Sequence, residues 1–244
     1  MEDIVPSLLE TIEEEFLAEC SEDKLILELT NHIRDGTATQ HEVSLYARRL
    51  GDHLSEVLQL NLTQDVLPDG RMYYNIADRI ITPMMRNNFN LTMEKAAEVQ
   101  VILDERAKIG LNPIKAEFPE SRVKQIVDSL TEEGVEFDVI QKRLGEPVRN
   151  CSQSFFDDFV KANALYRNMA GMKTTIRRTL VGGACPYCTR LAGVFTYGEE
   201  PEDVYKRHDN CRCTVTYISE KKIQNVHTKR TYNGEELQKA ILER

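Results

Sequence analysis

Cys185-Pro186-Tyr187-Cys188, followed twenty residues later by His208-Asp209-Asn210-Cys211-Arg212-Cys213, decides how this chain is read. Five soft ligands fall within 29 positions, as C-x2-C and H-x2-C-x-C. Each short spacing lets a tight turn aim two side chains at one point, and the loop between them is long enough to close the halves together. That is the arithmetic of a four-coordinate Zn²⁺ site. The C-x2-C and H-x2-C pairs favour Cys185, Cys188, His208 and Cys211 as ligands. In a short strand, however, alternation turns Cys211 and Cys213 to one side, so both could ligate with His208 behind them. A site saturated by protein ligands contributes folding energy and leaves no position for a reacting water.

Around this cluster the chain has β character. Thr174–Val181 is rich in β-branched residues and ends at Gly182-Gly183, and Val194–Tyr197 and Cys213–Ile218 read as short strands. Residues 234–243 suggest a closing helix. Upstream of Gly171 everything reads as helix. Ser7-Leu8-Leu9-Glu10 has the form of a capping box before Leu9, Ile12 and Phe16, and a second helix over 22–34 stops at Gly36. Thr39-Gln40-His41-Glu42 is another such box, opening a helix with Val43, Tyr46, Ala47, Leu50, Leu54, Val57 and Leu58 on one face. Leu67-Pro68-Asp69-Gly70 is a turn. Ala77, Ile80, Ile81 and Met84 resume the helical spacing, with Pro83 expected to kink or end it. Further helices are expected over 93–109, after Pro119 (Val123, Ile126, Val127, Leu130), and from Phe155 through Phe159 and Val160 to Gly171. The expected fold is α+β: a helical body over 1–170 and a β-rich zinc-binding unit over 171–244. The boundary marks a change of structure, since a β unit of that size needs a neighbour to pack on.

Composition narrows the function. The net charge is −9, and residues 171–244 carry 13 Lys/Arg against 9 Asp/Glu, or +4, leaving −13 for the rest. An acidic body with a mildly basic end lacks the clustered basic face of a nucleic-acid binder. No apolar run is long enough for a membrane span, and the N-terminus has no basic region of a secretory signal. Four of six cysteines sit in the cluster, with Cys20 and Cys151 apart, a distribution that suits metal binding in a reducing compartment.

Other chemistries fit less well. Cys-Pro-Tyr-Cys is the tetrapeptide glutaredoxins carry, and a low-pKa thiolate there could exchange disulfides. A thioredoxin-like motif belongs early in a βαβ domain, however, and here a long helical region precedes it. A zinc deaminase needs His-x-Glu upstream of Pro-Cys-x-x-Cys, and the chain has no His-x-Glu. An HNH-like nuclease would need His208 free beside an open metal. Glu13-Glu14-Glu15 and Glu132-Glu133 read as solvated helix faces. Phe155-Phe156 and Tyr73-Tyr74 read as core, His32, His41 and His53 as surface or core. Arg177-Arg178 and Lys221-Lys222 read as ordinary surface pairs.

The paired Cys-x-x-Cys and His-x-Asn-Cys-Arg-Cys elements, with Leu191-Ala192-Gly193-Val194-Phe195 between them, resemble the phage Mu-type head-morphogenesis domain. The segments 67–77, 145–148 and 224–229 resemble minor capsid proteins of phages and prophages of Gram-positive bacteria. The resemblance implies a non-enzymatic minor head protein, made in the host cytoplasm and carried into the virion in few copies. Its implied partners are portal, capsid and scaffold proteins, with a contact to packaged DNA, and neither a membrane nor a small-molecule substrate. The competing class is a zinc- or thiol-dependent enzyme, a nuclease or disulfide oxidoreductase, working through the same cluster.

Overall fold

The structure, a computed structural model, describes residues 3–183 and 185–220. The helix expected over 234–243, the Lys221-Lys222 pair and segment 224–229 lie outside the described residues. The chain opens with α1 (Val5–Glu22), α2 (Lys24–Arg34) and α3 (Gln40–Asn61), then turns at Pro68–Gly70 into α4 (Tyr74–Arg106). An irregular stretch leads to α5 (Glu120–Leu130), α6 (Phe137–Arg143) and α7 (Glu146–Met169). Beyond these come β1 (Lys173–Thr179), α8 (Pro186–Leu191), β2 (Gly193–Thr196) and β3 (Thr214–Glu220). The strands form an antiparallel sheet of order β2-β1-β3, so the fold is α+β. None of the described helices is long and apolar enough to cross a membrane.

Local chemistry sets most helix boundaries. At α3 the capping box forms in both directions: Thr39 Oγ1 accepts from the Glu42 amide at 3.3 Å, and Glu42 Oε2 accepts from the Thr39 amide at 2.8 Å. Asp23 caps α2, accepting from the Ile26 amide at 3.1 Å. Gly171, at φ +83°, ends α7 in the left-handed region where a side chain would be strained.

Several expectations are corrected. Ser7 caps nothing. The helix has already begun at Val5, where Asp3 accepts from the Val5 amide at 3.1 Å, and the Ser7 hydroxyl donates back to Ile4 O. Pro83 ends nothing either, and the two helices expected on either side of 93 are the single helix α4. Proline removes one intrahelical bond at a cost of about 3 kcal/mol. Ile80, Ile81, Met84 and Met85 around it are all 0 % exposed, and burying each contributes about 1.5–3 kcal/mol, so packing holds the helix together. The last long helix starts at Glu146, nine residues before Phe155, with Pro147 in its first turn where the missing N–H costs nothing. Pro119 occupies the N-cap of α5 and not its first turn. Glu132-Glu133 lie in the turn before α6, and α6 itself escaped notice because it is short and buries only Ile140. Tyr73 and Tyr74 are exposed, not core.

One apolar core runs through the described residues. Phe89 meets Phe118 and Phe155 edge-on, with ring centroids 5.4 and 5.3 Å apart. Ile176, Val215 and Tyr217 of the sheet, with Val204, belong to the same cluster as Phe155, Phe156 and Phe159 of α7. Helix α7 is the hinge of the architecture, packing on α3, α4, β1 and β3. A buried polar chain ties the layers. The Tyr217 amide donates to Gln40 Oε1 (2.8 Å), Gln40 Nε2 to Gln100 Oε1 (2.9 Å), and Gln100 Nε2 to Asp104 (2.9 Å). Arg167, fully buried, pairs with the same Asp104 through two bonds. Every link is satisfied, which keeps such a network from costing more than it contributes.

Candidate metal centre

The five expected ligands converge at the end of the sheet. Cys185 stands at the N-cap of α8, extended at ψ 163°, and its sulfur accepts from the Cys188 amide at 3.4 Å. The six-residue helix α8 then turns Cys188 inward. On the other side Cys211 and Cys213 precede β3 and are not part of it, so strand alternation does not place them. A turn does so, with Asn210 at φ +60° and the Cys211 amide donating to His208 O at 3.0 Å. Asparagine tolerates that left-handed backbone better than most residues.

His208 Nε2 lies 3.1 Å from Cys185 Sγ and 3.0 Å from Cys188 Sγ, and Cys188 Sγ lies 3.7 Å from Cys211 Sγ. The ligand atoms form two triads, Cys185–Cys188–His208 and Cys188–Cys211–Cys213, each within 4.8 Å and sharing Cys188. Such groups could hold a metal ion. The S···S spacing matches the edge of a tetrahedron with ~2.3 Å metal–sulfur bonds, about 3.8 Å, whereas the imidazole would step back by about 0.5 Å to admit an ion. The tautomer is already correct. His208 Nδ1 is 2.7 Å from Asp209 O; a carbonyl only accepts, so Nδ1 carries the proton and Nε2 offers its lone pair to the cluster.

The charges around the sulfurs are the more telling feature. Arg178 is 2 % exposed and forms no ion pair with a carboxylate among the described residues. Its Nη1 donates to Lys206 O (2.9 Å) and Val204 O, and its Nη2 points at Cys188 Sγ (3.7 Å) and Cys211 Sγ (3.6 Å). A guanidinium does not deprotonate, and a buried unpaired charge is costly. The acidic atoms it reaches are sulfurs, so the arrangement suits thiolates. Arg207 is paired instead with Asp157 of α7, through two bonds, and donates to Cys213 O at 2.8 Å.

Thiol acidities differ accordingly. Burial pushes Cys188 up to about 12, with the neighbouring sulfurs adding to it. The Cys188 amide lowers Cys185 below the ordinary thiol value. At Cys211 burial acts upward, but the Cys213 amide, Arg207 and Arg178 together bring it below that value. A bound divalent ion would override this spread, because a coordinating thiol loses its proton. Cys20 and Cys151, far from any metal group, are pushed up to about 12 by burial and are inert by comparison.

A polar stripe on α7 seats the His208–Cys213 turn. Glu146 accepts from the Asn210 amide (3.1 Å), Asn150 donates to Asp209 (3.3 Å), Gln153 donates to Cys213 O (3.4 Å), and Asp157 holds Arg207. The spacing of these four, 4-3-4, puts them on one helix face. Neither this stripe nor Arg178 emerged from the sequence reading, which took Arg177-Arg178 as a surface pair. The alternation Thr174, Ile176, Arg178 on one strand face is the signal that places Arg178 inward.

Comparison of the chain with protein-family models, with curated proteins and with solved structures gives no match.

Proposed function

We propose that this chain is a structural minor head protein of a phage or prophage, with Zn²⁺ held by the Cys/His cluster as a staple and not as a reaction centre. What carries the reading is the convergence on Cys188 of the two motif halves that resemble the head-morphogenesis domain. Cys185, Cys188, His208 and Cys211 are the ligands we assign, with Cys213 beside them, and Arg178 balances one negative charge of a three-thiolate, one-histidine site. The nuclease reading needs His208 as a free base, but its unprotonated nitrogen faces two sulfurs. In this reading the acidic helical body addresses portal, capsid or scaffold subunits during assembly in the host cytoplasm, and the protein stays in the head with the packaged DNA.

Mass spectrometry of purified procapsids and mature heads from the encoding phage tests this. The expected result is a few copies per particle. Abundant protein in the lysate with none in either particle contradicts it.

A further inference from the structure

The segment 67–77, which the sequence reading singled out, takes no part in the metal centre. Leu67 and Met72 are buried and anchor it, and between them Asp69 sits in the left-handed region at φ +52°. The Tyr73 hydroxyl donates to Asp69 Oδ2 at 3.2 Å. The turn is thereby held in one shape and presents Tyr73 and Tyr74, 41 % and 48 % exposed.

Opposite lies the turn between α5 and α6. The two enclose a groove of about 790 Å³, floored by Leu130 and Ile140 and flanked by Phe137. Its lining carries Asp69, Glu132, Glu133 and Glu136 against Arg71 alone, four negative charges to one positive. Glu132 is matched by Arg143 at 2.7 Å, whereas Glu133 and Glu136 form no ion pair among the described residues. The Tyr74 ring already has a cation near it, Lys124 Nζ at 5.7 Å from the centroid.

We propose that this groove receives an extended basic segment of a partner protein. Arginine or lysine side chains would lie against Tyr73 and between the unmatched carboxylates, and intervening apolar residues would fill the floor. Aromatic faces and carboxylates both attract a guanidinium, an apolar-floored cleft of this size suits a peptide side chain, and the same charges repel a phosphate backbone. The site is independent of the metal centre and stands or falls separately from it.

Fluorescence anisotropy with a labelled nine-residue peptide alternating arginine and leucine tests the groove, a glutamate–leucine peptide being the control. The arginine peptide should bind the full chain, more weakly as salt rises. The Glu133→Lys/Glu136→Lys variant should lose roughly tenfold in affinity, about 1.4 kcal/mol. Tyr73→Ser, which leaves the charges intact, should weaken binding severalfold. Reversal on a distant face, Glu10→Lys/Glu14→Lys, should change little. No binding by the wild type, equal binding of both peptides, or an equal loss from the distant reversal overturns the proposal.

Discussion

The helical body and the sheet end of this molecule are held by different physics. In the body, Phe16, Leu50, Leu54, Leu58 and Phe155 are essentially fully buried, and area removed from water is the main source of stability. The sheet end has three short strands, and what it buries beside Ile176 and Val215 is Arg178, Arg207 with its partner Asp157, and three cysteines. Charged groups are poor glue unless each finds an opposite charge. The contrast teaches that the sheet end depends on the charge state of its sulfurs, whereas the body is indifferent to it. A metal supplies that charge state and cross-links residues too few to form a core alone.

The sharpest way to break this contrast is Cys188→Ser, which removes the residue both triads share. We expect loss of bound metal and protease sensitivity confined to about residues 172–220. The loss of stability should be the largest of any single change here, since structural zinc contributes on the order of 10 kcal/mol in small zinc modules. Limited proteolysis with mass mapping checks it; cleavage spread evenly over the helices would erase the distinction. Phe155→Ala attacks the other side. It should cost about 3–5 kcal/mol in denaturant unfolding while leaving metal stoichiometry intact.

Arg178→Met sharpens the comparison further, because it keeps the bulk and removes the charge facing the sulfurs. Chelator competition should show metal affinity reduced roughly tenfold to a hundredfold; unchanged affinity would mean the sulfurs do not need that charge. The smallest effect is expected at Asp23→Ala, about 1–3 kcal/mol from the lost cap and the lost bonds to Arg49 and His53. Burial acts upward on the Asp23 carboxyl, but Arg49, the Ile26 amide and His53 together hold it below the usual carboxylate value. A folded-state pKa below the unfolded one contributes stability that is complete above about pH 4 and is lost as pH falls through the folded value. The gap between wild type and Asp23→Ala should therefore close in acid, which urea titrations at several pH values can follow.

The parts of the fold legible from sequence were those governed by neighbours in the chain. The Thr39–Glu42 box, the α3 stripe, the α5 stripe and the three strands follow from spacing, and so does the meeting of the Cys/His halves. What stayed hidden is decided by residues far apart. Pro83 is tolerated because its flanks are packed by other helices, and Tyr73 is exposed because its neighbours fold away from it. Arg178 is buried because sulfurs ten and 33 positions away face it. A polar stripe such as Glu146, Asn150, Gln153 and Asp157 reads as solvated until the turn it seats is in view.

Metal content of the chain purified without chelator, followed by timed alkylation, tests the central claim most directly. The expected result is one Zn²⁺ per chain, with Cys185 and the other clustered thiols protected until a chelator is added. A metal-free chain whose Cys185 alkylates at once and forms a reducible bond to Cys188 would contradict it.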